Sequence, residues 1–203
     1  MENSDQIPES TNKKSKINRQ DIILVILIII LLIPSVRKSI STFVVRLTLS
    51  KPSTENITNQ IPLTDSDLQW EFIDSTSNVY TLKNFKDKRI FLNFWATWSA
   101  PSRAEMSSIQ KLYNQTKDSV CFLLISFESP KVVYEYLAKE SLRLPVYFSK
   151  TKPSGNLQFQ AFPSTYILSE KNKILFKKSG AANYDSDIVK KILEPFKNTQ
   201  DVR

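Results

Sequence analysis

The sequence contains no histidine, one cysteine and two glycines among its 203 residues. Without histidine it has no Ser-His-Asp triad, no Cys-His pair and no histidine-ligated metal site. A lone cysteine, Cys121, forms neither an internal disulfide nor a cysteine-rich metal centre. Two glycines are too few for the glycine-rich loops that cradle phosphate groups. We therefore expect no metal ion and no cofactor.

Basic residues outnumber acidic ones, but they are spread along the chain. The formal net charge is +8, and residues 65–203 hold 20 Lys and Arg against 15 Asp and Glu. These charges are interleaved, whereas a nucleic-acid groove usually shows a basic block or stripe. We therefore expect no nucleic-acid partner. With 41% hydrophobic and 24% charged residues, the composition is that of a globular domain with additional segments.

The N-terminal part of the chain predicts a polar tail followed by a short membrane anchor. Residues 1–20 are polar and basic, and residues 21–36 include twelve uninterrupted aliphatic residues, Ile22 to Ile33, before Pro34. As a helix this run extends about 18 Å at ~1.5 Å per residue, whereas a hydrocarbon core of about 30 Å usually takes ~20 residues. No small-residue cleavage site follows, so we expect an uncleaved anchor helix over 21–36 that bends at Pro34.

Residues 37–51 predict an amphipathic helix. Its apolar residues recur at i, i+3, i+4 and i+7 and so share one helical face: Ile40, Phe43, Val44 and Leu47. Such a stripe flanked by bases is typical of a helix that lies in the membrane interface, and the alternative is a helix packed on a globular domain. Lysine and arginine are equally frequent before and after the anchor, so charge does not predict its orientation.

A linker is expected over residues 52–64, which are rich in Ser, Thr, Asn and Pro, and a globular domain over residues 65–203. In that domain, residues 89–95 form a continuous apolar run, which predicts a central strand buried on both faces. The other expected elements are a hairpin of 68–74 and 79–82, helices at 101–116, 130–140 and 185–196, a strand at 119–127 and an antiparallel pair around Lys171-Asn172. This order predicts an α/β sandwich.

The most informative motif is FLNFWATWSAPSRAEM, residues 91–106. It resembles the thioredoxin-like thiol–disulfide oxidoreductases of the TlpA/ResA type, whose signature reads N-F-W-A-T-W-C-x-P-C-[RK]-x-E-[MF]. AFPSTYIL, residues 161–168, resembles the family's segment with a cis-proline, here Pro163. The resemblance covers about residues 67–196. It implies a thioredoxin-like sandwich with a central mixed β-sheet, flanking helices and an N-terminal β-hairpin extension, placed after a membrane-anchoring helix.

The chain departs from the family at the two reactive positions. In the family the first cysteine attacks a substrate disulfide and the second resolves the mixed disulfide, but here Ser99 and Ser102 stand in their places. A helix N-terminus lowers a cysteine pKa from about 8.5 to ~3.5–7.5, whereas a serine hydroxyl starts several units higher and stays protonated. Oxygen also cannot form the new S–S bond of exchange. Cys121 falls in mid-strand, where we expect a small core residue.

The sequence therefore contains a degenerate site made of Ser99, Ser102 and Glu105. Two interpretations of the serines stay open, helix capping and a functional role of their hydroxyl groups. Serine is among the best helix N-caps, and Ser102 with Glu105 has the spacing of a capping box. The alternative is a functional role for the hydroxyl groups. Glu105 occupies the family position of an acid beneath the redox pair. Without thiols, we expect it to serve a cap or a salt bridge.

The binding half of the family site is still represented in the sequence. In relatives, the backbone before the cis-proline pairs with an extended substrate segment, a form of strand addition. We expect Trp95 in the core and Trp98 at the surface. The resemblance implies a binding surface made of Trp98, Ala100, Pro101, Phe162, Pro163 and Ser164.

These features favour a redox-inactive module that binds extracytoplasmic polypeptide segments or a partner protein of the cell envelope. The resemblance implies a single-pass protein of the cytoplasmic membrane whose domain faces the extracytoplasmic side. The first alternative is a thiol–disulfide oxidoreductase, as the fold alone implies. The second is activation of a thiol ligand by Ser99, as in some glutathione transferases, although this chain has no room for their second helical domain.

Overall fold

The computed structural model of the protein describes residues 18–194, and its contacts divide the chain into two units, Met1–Ser39 and Ile40–Arg203. The described part of the first unit holds helix α1, Arg19–Leu32, and the start of helix α2, Pro34–Leu47. The predicted polar tail lies outside the described residues up to residue 17, and its last two residues already belong to α1.

The predicted anchor helix, residues 21–36, is interrupted. Ile33 is extended, with a ψ of 118°, and α2 begins directly after it at Pro34. Proline explains the break, because it lacks a backbone N–H and disfavours helical geometry in the residue before it. Across residues 18–194, no helix combines the length and the apolar character needed to cross a membrane.

The second unit is built on one mixed sheet of eight strands in the order β1-β8-β7-β4-β5-β6-β2-β3. The central strands β4, β5 and β6 are parallel, and the other pairs are antiparallel. The strands are β1 Ile57–Pro62, β2 Phe72–Ile73, β3 Val79–Tyr80, β4 Arg89–Trp95, β5 Val120–Ser126, β6 Val146–Phe148, β7 Ser164–Leu168 and β8 Lys173–Ser179. The helices are α3 Asp65–Gln69, α4 Ala100–Thr116, α5 Pro130–Lys139 and α6 Asp187–Leu193.

Strand β4 is buried along its whole length, as its apolar run predicts. Because successive side chains of a strand point to opposite faces, β4 supplies two separate cores. Phe91 and Trp95 pack with residues of α4, α5 and α6. Leu92 and Phe94 enter the second core, on the other face. The site-bearing loop that follows β4 therefore starts from a strand that is fixed on both sides.

Two expectations for the N-terminal half of the domain need correction. The expected linker 52–64 contains strand β1, which pairs antiparallel with β8 at the sheet edge. Its sequence, ITNQIP, is mostly exposed, so it lacks the apolar alternation that marks a strand. The predicted hairpin 68–74/79–82 is present but short, because residues 65–69 form α3. The pairing of β2 with β3 covers only two residue pairs.

The remaining elements agree closely with the predicted ones. Helices α4 and α5, strand β5 and the antiparallel pair β7–β8 lie within one or two residues of their expected positions. Asn172, in the turn between β7 and β8, has a φ of 55°, a left-handed conformation that asparagine adopts more readily than most residues. The predicted last helix ends at Leu193, and residues 195–196 of the prediction lie outside the described part.

Candidate functional site

The centre of the site is the turn between β4 and α4, where both serine hydroxyls are hydrogen-bonded. Ser99 is the N-cap of α4, and its Oγ accepts a hydrogen bond from Ser102 N at 3.3 Å. The same Oγ donates to the carbonyl of Phe162 at 3.3 Å. Ser102 Oγ accepts from Ala96 N at 3.4 Å. Ser99 and Ser102 are 5% and 0% exposed, so both hydroxyls serve local structure.

Glu105 does not form the capping box that its spacing from Ser102 suggests, because the helix begins at Ala100 and Ser102 is already its third residue. Its carboxylate turns inward, accepting from Asn93 Nδ2 at 2.8 Å and from Ala182 N at 3.2 Å. The side chain is fully buried. Burial raises the pKa of Glu105 to about 8, although the two hydrogen bonds act in the opposite direction.

Asn93 is a site residue that the sequence reading missed. It lies in the middle of β4, opposite Thr165 of β7, and its Nδ2 donates to Thr165 Oγ1 at 2.8 Å as well as to Glu105. Within residues 18–194, its buried Oδ1 has no hydrogen-bond partner. An asparagine inside a strand of seven buried residues was the available signal, since buried amides need polar partners.

A second carboxylate, from Glu128, holds the loop that leads to Trp98. Thr97 donates to Glu128 twice, from its backbone N at 2.6 Å and from its Oγ1 at 2.7 Å. On the other side, Arg103 Nη1 donates to the carbonyl of Thr97 at 2.9 Å. Arg103 is 6% exposed, so the loop is fixed by a buried and a half-buried charged group, of which Arg103 lies within the motif and Glu128 lies outside it.

An aromatic surface lies beside the serine turn, formed by the exposed Trp98 and the half-buried Phe127 and Phe162, which pack on the buried ring of Phe159. Trp98 is 63% exposed and Trp95 is buried. The sequence predicts both positions, Trp98 at the surface and Trp95 in the core. The ring of Phe162 lies 5.7 Å from that of Trp98, 5.9 Å from Phe127 and 5.3 Å from Phe159. Lys152 Nζ stands 4.8 Å from the centre of the Phe159 ring, within the range of a cation–π contact.

The other predicted binding residues divide into accessible and buried ones. Ala100 and Pro101 are half-buried in the first turn of α4. The Phe162–Pro163 bond is cis, as the motif predicts, and Pro163 is buried. Ser164 is also buried, and its Oγ donates to the carbonyl of Ala161 at 2.8 Å. Ser164 therefore does not line the accessible surface, because as the first residue of β7 it points into the fold.

A cavity of about 540 Å³ lies next to this surface. It is bounded by β2, the end of β6 and the segment after β5, and it shares Phe127 and Glu128 with the site. In the described part of the chain, no group of three or more His, Cys, Asp or Glu is placed to hold a metal ion. Cys121 lies in β5 and is half-buried. Burial raises its pKa to about 11, so its thiol is protonated at neutral pH.

Comparison with known proteins places this geometry in a family. The Redoxin family model matches residues 57–193. The chain is 33% identical over 98 residues to the "Thioredoxin-like protein YneN" of Bacillus subtilis, covering 46% of this chain and 58% of that protein. It is 30% identical over 99 residues to the "Thiol-disulfide oxidoreductase ResA" of Bacillus cereus, covering 47% and 57%. The chain thus spans just over half the length of these relatives.

Solved structures share the fold. The DsbF homologue from Corynebacterium diphtheriae superposes with a TM-score of 0.55 at 19% identity, covering 69% of this chain and 93% of that one. StoA from Bacillus subtilis gives a TM-score of 0.52 at 21% identity, covering 62% and 96%. These likenesses confirm the thioredoxin-like α/β fold with a mixed central sheet and flanking helices. Since the family match takes in well over half of the residues, the chain belongs to the Redoxin family.

Proposed function

We propose that this protein is a thioredoxin-like domain whose two redox cysteines are replaced by Ser99 and Ser102, and that it binds extended polypeptide segments without exchanging disulfides. The main support for this proposal is that the hydroxyl groups of Ser99 and Ser102 are engaged in local structure. Each is buried and hydrogen-bonded to the backbone around the start of α4. Oxygen cannot take the place of sulfur in the exchange reaction.

The aromatic surface supports the binding part of the proposal. Trp98 and Phe162 meet edge to face beside the cis peptide bond, and a large exposed tryptophan is the type of residue that dominates binding energy at interfaces. The carbonyl of Phe162 and the first turn of α4 lie next to it. A polypeptide that pairs with the chain before Pro163 would place its side chains against these rings.

The site of action is proposed from the family resemblance and from the sequence that precedes the domain. We propose a location at the cytoplasmic membrane, with the domain on the extracytoplasmic side and polypeptide segments of the cell envelope as partners. Protease protection in intact cells tests the orientation. Digestion of the domain by a protease added outside would support it, whereas protection until the membrane is permeabilised would refute it.

Thiol–disulfide oxidoreduction is the second candidate, because the similar protein from Bacillus cereus is the "Thiol-disulfide oxidoreductase ResA". Insulin reduction with dithiothreitol separates the two candidates. We expect no turnover above background for the unmodified chain. The double variant Ser99→Cys/Ser102→Cys should gain activity, and the single variant Ser99→Cys, which lacks the resolving thiol, serves as its control. Catalytic turnover by the unmodified chain would refute redox inactivity.

Binding is tested with a permanently unfolded probe, reduced and carboxymethylated α-lactalbumin. Trp98→Ala should weaken binding about tenfold, which corresponds to about 1.4 kcal/mol. Ile61→Ala removes another exposed apolar side chain, on β1, and should leave the affinity unchanged. If the probe does not bind, or if both variants weaken binding equally, the aromatic surface is not the docking site.

A further inference from the structure

Helix α2 carries an exposed apolar stripe that the domain does not use. Within the unit that starts at Ile40, the four residues of the stripe are 43%, 60%, 53% and 71% exposed, in the order Ile40, Phe43, Val44 and Leu47. Such a contiguous set on two helical turns usually marks an interaction surface. None of these side chains belongs to either core of the domain.

The helix is attached to the domain through its opposite side. Thr42 Oγ1 accepts a hydrogen bond from Arg103 Nε at 2.9 Å, and Thr42 and Val45 are the half-buried residues of this part of α2. At about 100° per residue, the direction midway between these two lies about 180° from the middle of the stripe. Just after the helix, Asn183 N donates to the carbonyl of Ser50 at 3.0 Å. The stripe therefore faces away from the domain, contrary to the alternative of a helix whose apolar side packs on it.

The charge of the surrounding sequence indicates what covers the stripe. Residues 22–54 contain no acidic residue, and they contain four basic ones, Arg37, Lys38, Arg46 and Lys51. Basic residues beside an apolar helical stripe complement the negative surface of a bilayer with anionic lipids. A stable contact with a second protein copy takes about 800 Å² from each partner, more than a stripe of four side chains offers.

We propose that the segment Ile40–Leu47 lies in the headgroup region of an anionic bilayer with its apolar stripe buried in the lipid. Arg103 connects this segment to the loop before Trp98. Its Nε holds Thr42 of α2 and its Nη1 holds the carbonyl of Thr97, in the loop before Trp98. One guanidinium group thereby links the helix segment that contacts the lipid to the loop that precedes Trp98. The proposal does not depend on what the aromatic surface binds.

The experiment uses the full chain with Cys121→Ser and one new cysteine, labelled with the environment-sensitive fluorophore NBD. Phe43→Cys and Leu47→Cys report on the stripe, and Ser41→Cys, an exposed and uncharged position off the stripe, is the matched control. The labelled chains are reconstituted into vesicles of phosphatidylcholine and phosphatidylglycerol in a three-to-one ratio. Quenching by spin labels on the lipid acyl chains reports direct contact between the fluorophore and lipid.

We expect the labels at positions 43 and 47 to shift their emission to shorter wavelength and to be quenched by the lipid spin labels, and the label at position 41 to do so much less. Stripe labels that emit as in water, in protein that co-floats with the vesicles, would overturn the proposal. A wavelength shift without lipid quenching would assign the stripe to a contact with a second copy of the chain and would also overturn the proposal. Equal quenching in vesicles of phosphatidylcholine alone would show that anionic lipid is not needed, and would overturn that part of the proposal.

Discussion

Replacing Glu105 with glutamine should make the protein increasingly stable relative to the unmodified chain as the pH rises, with a net gain at alkaline pH. The carboxylate is fully buried, and its hydrogen-bond partners Asn93 Nδ2 and Ala182 N are neutral. Glutamine has the same shape and no charge. Its carbonyl oxygen can accept from Ala182 N. Its amide nitrogen then faces Asn93 Nδ2, which is also a donor, so one of the two hydrogen bonds is lost at a cost of about 1–3 kcal/mol at every pH.

The magnitude follows from the pKa of Glu105, which burial raises from an ordinary 4.5 to about 8. Between these two pH values the folded protein holds a proton that the unfolded chain has released, so the free energy of unfolding falls as pH rises. In the unmodified protein, the protonated Glu105 contributes its full stabilisation below pH 4.5, and this contribution is lost as the pH rises past about 8. At about 1.4 kcal/mol for each unit, the loss amounts to about 3 kcal/mol at pH 7 and about 5 kcal/mol above pH 8.

The assay is urea unfolding of the full chain in non-ionic detergent, followed by tryptophan fluorescence at several pH values from about 5 to about 9. The quantity to compare is the difference in free energy of unfolding between Glu105→Gln and the unmodified protein, because the other titrating groups cancel in it. Glu135→Gln, at an exposed position in α5, controls for the loss of one negative charge. A difference for Glu105→Gln that stays constant over this range would refute the argument.

Two further predictions concern residues outside the site. Gly155→Ala should cost about 3 kcal/mol or more through overpacking, because a Cβ there would overlap Thr64 Oγ1 and stand 2.6 Å from Asp67 Cγ. A Cβ at Gly180 would have no atom within 4 Å, so Gly180→Ala should cost only about 1–2 kcal/mol for its φ of +81°. Thermal unfolding compares the two variants. A loss of stability for Gly155→Ala that is equal to or smaller than that for Gly180→Ala would contradict the prediction. Since burial raises the pKa of Cys121 to about 11, iodoacetamide at pH 8 should alkylate it much more slowly in the native protein than in urea, and equal rates would show an accessible thiol.

The central part of the fold was predictable because its signals are local and strong. The apolar run of β4 predicts a strand buried on both faces, and the helix after it is marked by Ser99 and Pro101, an N-cap and an early helical proline. Strand β1 was missed because its ladder with β8 is a long-range contact. Helix α3 was missed although Thr64 and Asp67 cap each other at its start, a local signal that was available.

The serine turn was predictable and its surroundings were not. The motif identifies Ser99, Ser102 and Glu105, but only the fold brings Glu128 to within 2.6 Å of Thr97 N across 31 positions of sequence. The inward turn of Glu105 likewise depends on Ala182, whose backbone amide arrives from the far end of the domain. Hydrogen bonds of this kind have no sequence periodicity, so they are visible only in three dimensions.

The polar centre around Glu105 also explains how an acid can remain useful in a site without thiols. Asn93 and Thr165 belong to the central strands β4 and β7, Glu105 belongs to α4, and Ala182 lies before α6. The carboxyl thus joins a strand, a helix and a loop that all contribute to one buried region. Removing one partner of a buried hydrogen bond costs about 1–3 kcal/mol, and an alanine in place of Glu105 would leave two donors unpaired. The presence of Glu105 therefore needs no redox chemistry to explain it, and it is no argument for oxidoreductase activity in this chain.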